Sequence, residues 1–202
     1  MTKIDEELLR RQVKAELRKR LRGLRKTTPT SSIAARSIKI IGNLEEMDAV
    51  RAAKSIALFW PIMDRHEVDL RVFDGFLRTR GMRIAYPSID RATDTMNFRF
   101  TDDRKSMVDA GLGFLEPTED APIAARGEID VVVAPALAVD PRGHRLGYGA
   151  GYYDRALPAY VPPATSIAVA FDFQLLAEIP NTDTDVPVQW IVTDTRVIEA
   201  PR

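Results

Sequence analysis

The stretch IDVVVAPALAVD, residues 129–140, decides the fold class. Between its aspartates it is continuously apolar, which is typical of a central strand that helices cover on both faces. Shorter apolar runs at 55–60, 83–87 and 166–172 are separated by segments with helical spacing. The sequence therefore predicts an α/β fold, a three-layer open sheet that is mainly parallel and Rossmann-like, with helices on both faces.

Apolar spacing and turn residues predict the other elements of the chain. They are a helix over 4–25, a second helix that Ser31 or Ser32 caps and that runs to about Met47, a helix from Leu70 to Arg80 that Gly81 ends, an edge strand or hairpin arm at 94–102, a short helix in 151–160, another at 173–179, and last strands at 188–194 and 195–200. The sequence shows no repeat and no clear linker, so we predict one domain over residues 1–202.

The composition excludes several classes of site. The 202 residues are 45% hydrophobic and include no cysteine, which removes disulfides, thiolate metal ligands and cysteine nucleophiles. The longest apolar run is about nine residues, 131–139, whereas a membrane helix needs roughly 20. The first residues are charged and hold no apolar signal region, so we expect a cytoplasmic protein with no membrane segment.

Positive charge is concentrated at the start of the chain. Residues 1–26 hold ten basic and four acidic residues, a charge of +6, and because the whole chain is neutral the remainder carries −6. One interpretation is a solvated helix face, and the other is that some of these cations bind an anion. Lys14 and Arg18 are four residues apart and therefore share one face of the helix.

A glycine-rich loop, DPRGHRLGYGAGYYDR at 140–155, follows the central strand and opens a helix. Ligands of open α/β sheets bind beyond the carboxyl ends of strands, and bare backbone N–H groups before a helix favour phosphate. Arg145 offers paired donors for phosphate oxygens, and Asp154 is a carboxylate suited to Mg²⁺. The glycine spacing matches neither the P-loop nor the dinucleotide fingerprint, so a tight turn remains the alternative.

The block APALAVDPRGHRLGYGAGYYDRAL, residues 134–157, resembles the signature of the 5-formyltetrahydrofolate cyclo-ligase family. Its R-L-G-x-G-x-G-Y-Y-D part is unbroken from Arg145 to Asp154, although Tyr148 and Ala150 stand where some members carry Arg or Lys. Other family elements occur in the same order along nearly the whole chain. They are K-x-x-L-R at 14–18, HEVD at 66–69, GFLEP at 113–117, FDFQLL at 171–176 and DVPVQWIVTD at 185–194.

The resemblance implies conversion of 5-formyltetrahydrofolate to 5,10-methenyltetrahydrofolate, with ATP going to ADP and phosphate in the presence of Mg²⁺. Phosphorylation makes the formyl oxygen a leaving group, and N10 then closes the ring. The implied scaffold is NagB/RpiA/CoA-transferase-like. The implied partners are 5-formyltetrahydrofolate and ATP, and we expect a monomer that binds no nucleic acid.

The resemblance also assigns roles to residues of this chain. The catalytic residues are Arg145 and Tyr153. The ATP-binding residues are Lys14, Arg18, Arg145, Leu146, Gly147, Tyr148, Gly149, Ala150, Gly151, Tyr152 and Tyr153. The folate-binding residues are Trp60, Glu67, Tyr148, Gly149, Ala150, Gly151 and Tyr152, and the Mg²⁺-linked residues are Asp154 and Asp185. We interpret His66, Asp140 and His144 as structural.

Two other functions fit parts of the pattern. A sugar-phosphate isomerase or CoA-transferase relative would hold a substrate phosphate in the glycine loop without ATP. A noncatalytic module would use the +6 helix to bind nucleic-acid phosphates. Its lack of interleaved aromatic residues counts against the second alternative.

Overall fold

A computed structural model describes residues 3–109, 111 and 113–201, and a seven-stranded sheet lies at its centre. The strands are β1 (Ser55–Ala57), β2 (Arg83–Asp90), β3 (Thr95–Phe100), β4 (Met107–Asp109), β5 (Leu115–Pro117), β6 (Val131–Pro135), β7 (Ala138–Val139), β8 (Arg145–Leu146), β9 (Thr165–Val169), β10 (Trp190–Val192) and β11 (Val197–Glu199). The helices are α1 (Lys3–Thr27), α2 (Thr30–Glu46), α3 (Asp48–Ala52), α4 (Arg71–Thr79) and α5 (Tyr152–Tyr160), with 3₁₀ turns at Met63–Arg65, Arg104–Ser106 and Asp172–Gln174.

The sheet is parallel except at its two edges. Its order is β11-β10-β9-β6-β1-β2-β3, and only the outer pairs β10–β11 and β2–β3 are antiparallel. This confirms the predicted mainly parallel sheet and the edge position of the strand within 94–102. From β1 the chain proceeds toward β2, whereas from β6 it proceeds toward β9 and β10. The direction of winding therefore switches between β1 and β6, where ligands of such sheets bind.

Helices cover both faces of the sheet, as predicted. Ile56 of β1 packs in one cluster with Leu44 of α2 and Phe73 of α4, all fully buried. The next residue, Ala57, belongs to the opposite cluster with Leu157 of α5. Successive strand residues point to opposite faces, and burying each large apolar side chain contributes about 1.5–3 kcal/mol. The two apolar layers thus hold the strand ends in fixed positions.

The central strand is shorter than the predicted 129–140. It lies between β9 and β1, which confirms its central place, but β6 ends at Pro135. Leu137 then donates its N–H to the Leu146 carbonyl oxygen at 2.7 Å, and β7 pairs with β8 in an antiparallel hairpin. The apolar run continues because this hairpin is also buried, so hydrophobicity alone does not reveal where the strand ends.

Two helix predictions need correction. Neither Ser31 nor Ser32 caps α2, because the helix begins at Thr30 after Pro29, and the fixed backbone angle of proline suits a helix start. The segment 173–179 forms only a 3₁₀ turn at its start. There the Gln174 side chain accepts from the Phe171 N–H at 3.0 Å and donates to the Leu137 carbonyl oxygen at 2.7 Å. These tertiary bonds hold the turn and replace helical ones.

Helix α1 packs against the hairpin that leads into the glycine loop. The predicted helix 4–25 is confirmed within Lys3–Thr27. Leu17 and Leu21 contact the hairpin residues Ala138 and Leu146 together with Ile179. This apolar contact brings Arg18 of the same helix to the loop, where it bonds the Gly147 carbonyl oxygen.

One domain over 1–202 stays a prediction, and residues 1, 2, 110, 112 and 202 of it lie outside the described residues. Across the described part of the chain, no helix combines the length and the apolar content that crossing a bilayer requires.

Candidate active site

The site forms where the chain leaves β1 and β6, on either side of the switch in winding direction. The segment after β1 carries Glu67, and the hairpin after β6 leads into the glycine loop with Tyr148. The two meet, because the Tyr148 hydroxyl hydrogen-bonds the Glu67 carboxylate. Residues 81 positions apart thus face each other at the place where open α/β sheets bind ligands.

The glycine loop lies directly beneath a cation of α1. Arg18 Nε donates to the carbonyl oxygen of Gly147 at 2.9 Å. Gly149 has φ of +113°, which side-chain-bearing residues rarely adopt, and a Cβ there would lie 3.6 Å from the guanidinium carbon of Arg18. Glycine is therefore required by the backbone conformation, since a Cβ would make only ordinary van der Waals contact with Arg18.

Arg145 is buried and fixed at the end of β8. Its Nη2 donates to Oδ1 of Asp154 at 2.9 Å, and the same oxygen accepts from the Val186 N–H at 3.2 Å. Burial lowers the pKa of the Arg145 guanidinium, while the charge of Asp154 opposes that shift. An arginine stays charged even so. Among the described residues, its buried Nε has no hydrogen-bond partner.

The adjacent tyrosines point to different places. The Tyr153 hydroxyl is buried and has no hydrogen-bond partner within the described part of the chain, and the Arg145 guanidinium lies 5.6 Å from the ring centre. Burial raises the pKa of Tyr153, so the hydroxyl keeps its proton and is a donor. Tyr152 instead donates to Oδ1 of Asp94 at 2.8 Å, in the turn between β2 and β3. The structure therefore brings Tyr153, and not the hydroxyl of Tyr152, to Arg145.

Lys14 is paired with one of the predicted metal-linked carboxylates. Its Nζ lies 2.6 Å from Oδ2 of Asp185, and the two side chains are only 12% and 16% exposed. Burial alone would raise the pKa of Asp185, but hydrogen bonds from Lys14 and Thr182 outweigh it and the pKa is lowered. Asp185 is therefore ionised and holds Lys14 one turn before Arg18, the residue of α1 that contacts the glycine loop.

Asp154 and Asp185 are suited to bind a Mg²⁺ ion that the phosphates of a substrate also coordinate. Val186 links them, since its N–H bonds Asp154 and it follows Asp185 in the chain. From the described residues, hydrogen bonds reach only Oδ1 of Asp154 and Oδ2 of Asp185, which leaves one oxygen of each for a metal. The described part of the chain holds no cluster of three or more metal-ligand side chains. Mg²⁺ commonly needs only one or two carboxylates beside substrate phosphates.

Glu67 closes the opposite end of the site. It is 5% exposed, and its Oε2 accepts from the Ile62 N–H at 2.8 Å. Burial raises the pKa of Glu67, against the hydrogen bonds from Ile62 and Tyr148. Trp60, predicted beside it, is half-buried and packs edge-on against Tyr86 with ring centres 6.0 Å apart.

Sequence reasoning missed Arg25, which connects three parts of the site. Its Nε donates to the His66 carbonyl oxygen at 3.0 Å, and its Nη1 donates to the Tyr148 hydroxyl at 3.2 Å. His66 Nδ1 in turn lies 2.9 Å from the Arg25 carbonyl oxygen, so His66 has a structural role in fastening α1. Arg25 follows Arg18 by seven residues, two helical turns, and that spacing was the available signal.

A cavity of about 380 Å³ opens beside Tyr148. Its other lining residues are Arg22, Lys26, Asp64 and Arg65, and the Arg65 guanidinium lies 4.7 Å from the centre of the Tyr148 ring. Tyr148 itself carries no charge. Cations from α1 and from the 63–65 turn surround it.

Asp140 and His144 support the hairpin, in agreement with their structural interpretation. The fully buried Asp140 carboxylate accepts backbone N–H bonds from Arg142, His144 and Ile179 at 2.9–3.1 Å. His144 Nδ1 lies 3.2 Å from Oδ2 of Asp140. The pair fixes the turn between β7 and β8 and lies outside the set of groups around Arg145.

The site therefore has two ends. Fixed cations, a bare backbone loop and two carboxylates at one end suit the phosphates of a nucleotide with a divalent cation. A buried carboxylate among apolar side chains at the other end suits a neutral heterocycle with N–H groups.

The chain is similar to known proteins over most of its length. Residues 10–194 match the model of the 5-formyltetrahydrofolate cyclo-ligase family. A Mycolicibacterium smegmatis 5-formyltetrahydrofolate cyclo-ligase is 45% identical over 98 residues, which is 48% of this chain and 50% of that protein. The Escherichia coli protein of the same name is 28% identical over 74% of this chain and 89% of its own length.

The fold agrees as well. The solved structure of Aquifex aeolicus 5,10-methenyltetrahydrofolate synthetase superposes with a TM-score of 0.82 and 27% identity, covering 94% of both chains. With the sequence match over 10–194, this settles the relationship. The chain belongs to the 5-formyltetrahydrofolate cyclo-ligase family.

Proposed function

We propose that the chain converts 5-formyltetrahydrofolate to 5,10-methenyltetrahydrofolate between the glycine loop and Glu67, with Mg²⁺ and ATP. Family membership supports the conversion and the use of ATP. The observation that carries the placement is the buried Arg145 guanidinium beside the buried Tyr153 hydroxyl. Neither the Arg145 Nε nor this hydroxyl has a hydrogen-bond partner among the residues that the structure describes. Buried donors without partners are rare in folded proteins, and two together favour an anionic ligand.

The nucleotide would lie under α1. Lys14 and Arg18 approach the glycine loop from one side and Arg145 from the other, so their charges would offset those of the triphosphate. To do so, Lys14 exchanges its bond to Asp185 for one to phosphate. Asp154 and Asp185 would hold Mg²⁺, which supplies charge neutralisation at the phosphate oxygens.

The chemistry then needs alignment more than a nucleophilic side chain. The formyl oxygen attacks the terminal phosphorus, and ADP leaves. The N10 lone pair forms a bond to the formyl carbon, N10 loses its proton, and the C–O bond breaks to release phosphate. Arg145 and the protonated Tyr153 would donate to the oxygens on which charge develops, as preorganised donors do in other transferases.

The folate would enter from the Glu67 side. Its heterocycle carries N–H groups that a carboxylate accepts, and Glu67 is held by Ile62 and Tyr148 for that purpose. Because Tyr148 belongs to the glycine loop, the same loop would contact both substrates. That arrangement would bring the formyl group to the terminal phosphate.

The direct test is a spectrophotometric assay for 5,10-methenyltetrahydrofolate formed from 5-formyltetrahydrofolate, with ADP measured in parallel. We expect product only when both ATP and Mg²⁺ are present, with one ADP per product. Product that forms at the same rate without nucleotide would contradict the proposal. So would the absence of product from folded protein that has both cosubstrates.

The two alternatives predict other results. An isomerase-like or transferase-like enzyme would bind sugar phosphates or CoA esters and would ignore ATP. A nucleic-acid-binding module would bind oligonucleotides in a salt-sensitive manner. Lys14, Arg18 and Arg25 already bond to the protein itself around the loop, which favours an enclosed small-molecule site over an exposed nucleic-acid surface. A monomer and a cytoplasmic location stay predictions, which sedimentation and cell fractionation test.

A further inference from the structure

Three residues join the glycine loop to the turn between β2 and β3. Arg155 of α5 donates from Nη2 to the carbonyl oxygen of Asp94 at 3.0 Å and to its Oδ2 at 3.3 Å. Tyr152 donates to Oδ1 of the same carboxylate at 2.8 Å, and the Arg155 guanidinium lies 5.1 Å from the centre of the Tyr152 ring. Asp94 has φ of +52°, a conformation that aspartate tolerates better than most residues. We call Asp94, Tyr152 and Arg155 the latch.

The latch also holds the backbone of the loop. Arg155 Nη1 donates to the Ala150 carbonyl oxygen at 2.7 Å. A Cβ on Gly151 would lie 3.2 Å from the same nitrogen, so the guanidinium lies close to the bare backbone of that glycine. One guanidinium thus connects the loop with the turn between β2 and β3, while Arg18 holds the other end of the loop through the Gly147 carbonyl oxygen.

The bond to Ala150 determines the direction of one N–H group in the loop. The Ala150 carbonyl and the Gly151 N–H belong to one planar trans peptide, in which the two groups point in opposite directions. Because the carbonyl oxygen faces Arg155, the Gly151 N–H points away from it. Gly151 is partly exposed, and its N–H bonds no other residue in the described part of the chain. The peptide therefore presents a fixed donor on the side of the loop away from Arg155.

We propose that Arg155 is a positioning residue for the nucleotide. It holds the Ala150–Gly151 peptide so that the Gly151 N–H donates to a phosphate oxygen, and Asp94 holds Arg155 in turn. The inference rests on the proposed function, since it needs a nucleotide phosphate at the glycine loop. Backbone donors that are oriented before binding need no ordering when the anion arrives, which increases affinity. The edge hairpin of β2 and β3 thereby supports the nucleotide end of the site.

The experiment measures by calorimetry the affinity of a nonhydrolysable ATP analogue with Mg²⁺ for the wild type, Arg155→Met and Arg155→Lys. We expect both variants to bind at least about tenfold more weakly, as for loss of one charge-assisted hydrogen bond. Lysine keeps the positive charge but lacks the planar fork that bonds Ala150 and Asp94 together. Wild-type affinity of Arg155→Met, or of Arg155→Lys alone, would overturn the inference, and the second result would show that only the charge matters.

Steady-state kinetics separate positioning from a general structural defect. In Arg155→Met, KM for ATP should rise at least about tenfold while kcat at saturating ATP falls less than about threefold, because the oriented donor binds ground state and transition state alike. The melting temperature should stay near the wild-type value, since the Arg155 and Asp94 side chains are 48% and 74% exposed and such pairs contribute little to stability. A lower kcat with an unchanged KM would overturn the inference.

A double-mutant cycle tests whether Asp94 acts through Arg155. Asp94→Gly removes the side chain without strain, because glycine adopts the left-handed conformation freely. Alone it should weaken binding of the analogue by about threefold, since the carbonyl oxygen of residue 94 still accepts from Arg155. Added to Arg155→Met it should change the affinity by less than about twofold. Additive losses would contradict the latch.

Arg51→Met and Arg51→Lys are the matched controls. Arg51 Nε donates to the Glu45 carbonyl oxygen at 3.1 Å, and its guanidinium pairs with the Glu46 carboxylate, with side chains 50% and 76% exposed. Arg51 therefore makes the same two kinds of bond at the same exposure, in α3 before β1, at the amino ends of the parallel strands and away from the site. We expect wild-type affinity and KM. Losses equal to those of the Arg155 variants would overturn the inference.

The inference and the proposed function fail in different ways. A wild type that turns over 5-formyltetrahydrofolate with ATP, together with an Arg155→Met variant of unchanged affinity, contradicts the inference alone. A wild type that binds the analogue more tightly than Arg155→Met but forms no methenyltetrahydrofolate contradicts the proposed function alone. A wild type that does not bind the analogue contradicts both.

Discussion

The guanidinium of Arg145 lies 2.9 Å from the carboxylate of Asp154, and the two residues stand at opposite ends of the glycine loop. Arg145 begins β8, the second strand of the hairpin, and Asp154 lies in the first turn of α5. Their ion pair therefore closes the loop at its base. Because the Arg145 side chain is 3% exposed, removal of either partner leaves the other charge poorly compensated.

Arg145→Ala and Asp154→Ala should each lower the rate of methenyltetrahydrofolate formation at least about 100-fold, as loss of a preorganised charge contact does. The measurement is kcat at saturating substrates, with circular dichroism to confirm folding. Arg142→Ala is the control, since its pair with Glu178 is 3.4 Å long and both side chains are mostly exposed. Wild-type rates in both loop variants would refute the assignment.

Lys14→Ala should weaken nucleotide binding by roughly 10- to 100-fold, because one charge-assisted hydrogen bond contributes about 1.5–3 kcal/mol. The affinity of a nonhydrolysable ATP analogue with Mg²⁺ measures this. Lys19→Ala changes the same residue type on the exposed side of the same helix and should leave the affinity unaltered. Equal effects of the two substitutions would indicate only a general loss of positive charge.

Glu67→Gln should make the protein more stable near pH 7 while it weakens folate binding. Burial raises the pKa of Glu67, against hydrogen bonds from Ile62 and Tyr148 and the charges of Arg25 and Arg65. Protonated Glu67 therefore contributes to the stability of the folded state. This contribution is fully present below the ordinary glutamate pKa of about 4.3, and it is lost as pH rises through the raised pKa of the folded protein. Glutamine cannot ionise and avoids that loss.

For a difference in unfolding free energy of about 1 kcal/mol, Glu67→Gln should raise the melting temperature at pH 7 by about 2–4 °C. The difference in unfolding free energy between variant and wild type should grow with pH through that window and then stay constant. A difference that does not depend on pH, or a less stable variant at pH 7, would show that the ionised Glu67 is compensated by its neighbours.

Gly143→Ala should destabilise the hairpin that supports the glycine loop. Gly143 has φ of +87°, and a Cβ there would lie 2.2 Å from the carbonyl oxygen of Val188. Gly127→Ala is the matched control, with φ of +83° and no atom within 4 Å of the added carbon. The left-handed conformation alone costs about 1–2 kcal/mol, so urea unfolding should show that loss for Gly127→Ala and a clearly larger one for Gly143→Ala. Equal losses would contradict the steric argument.

Features that depend on local sequence were predictable. Apolar runs identified the parallel strands, and the unbroken motif from Arg145 to Asp154 located the loop that the fold places at the switch point. The predicted helix at 173–179 was wrong because its helical pattern competes with tertiary bonds of Gln174. The predicted end of the central strand was wrong because a buried hairpin is as apolar as a buried strand.

Contacts between distant residues were not predictable from one sequence. The pairing of Lys14 with Asp185 depends on how α1 docks, and no local pattern encodes that orientation. Likewise, the charge of Arg25 suggested a solvated helix face, whereas Leu21 one turn earlier directs that part of α1 inward. The family resemblance had already named Glu67 and Trp60 beside the loop residues, whereas the bonds by which Arg25 joins α1 to His66 and Tyr148 required the three-dimensional structure.

The bond between Lys14 and Asp185 joins positions 171 residues apart, which has a consequence for synthesis of the protein. A ribosome that adds about 5–20 residues per second makes the second position roughly 10 to 30 seconds after the first. During that interval α1 can already meet the hairpin residues Ala138 and Leu146, but Lys14 has no Asp185 to pair with. The ion pair that fixes Lys14 can therefore form only after elongation has passed Asp185.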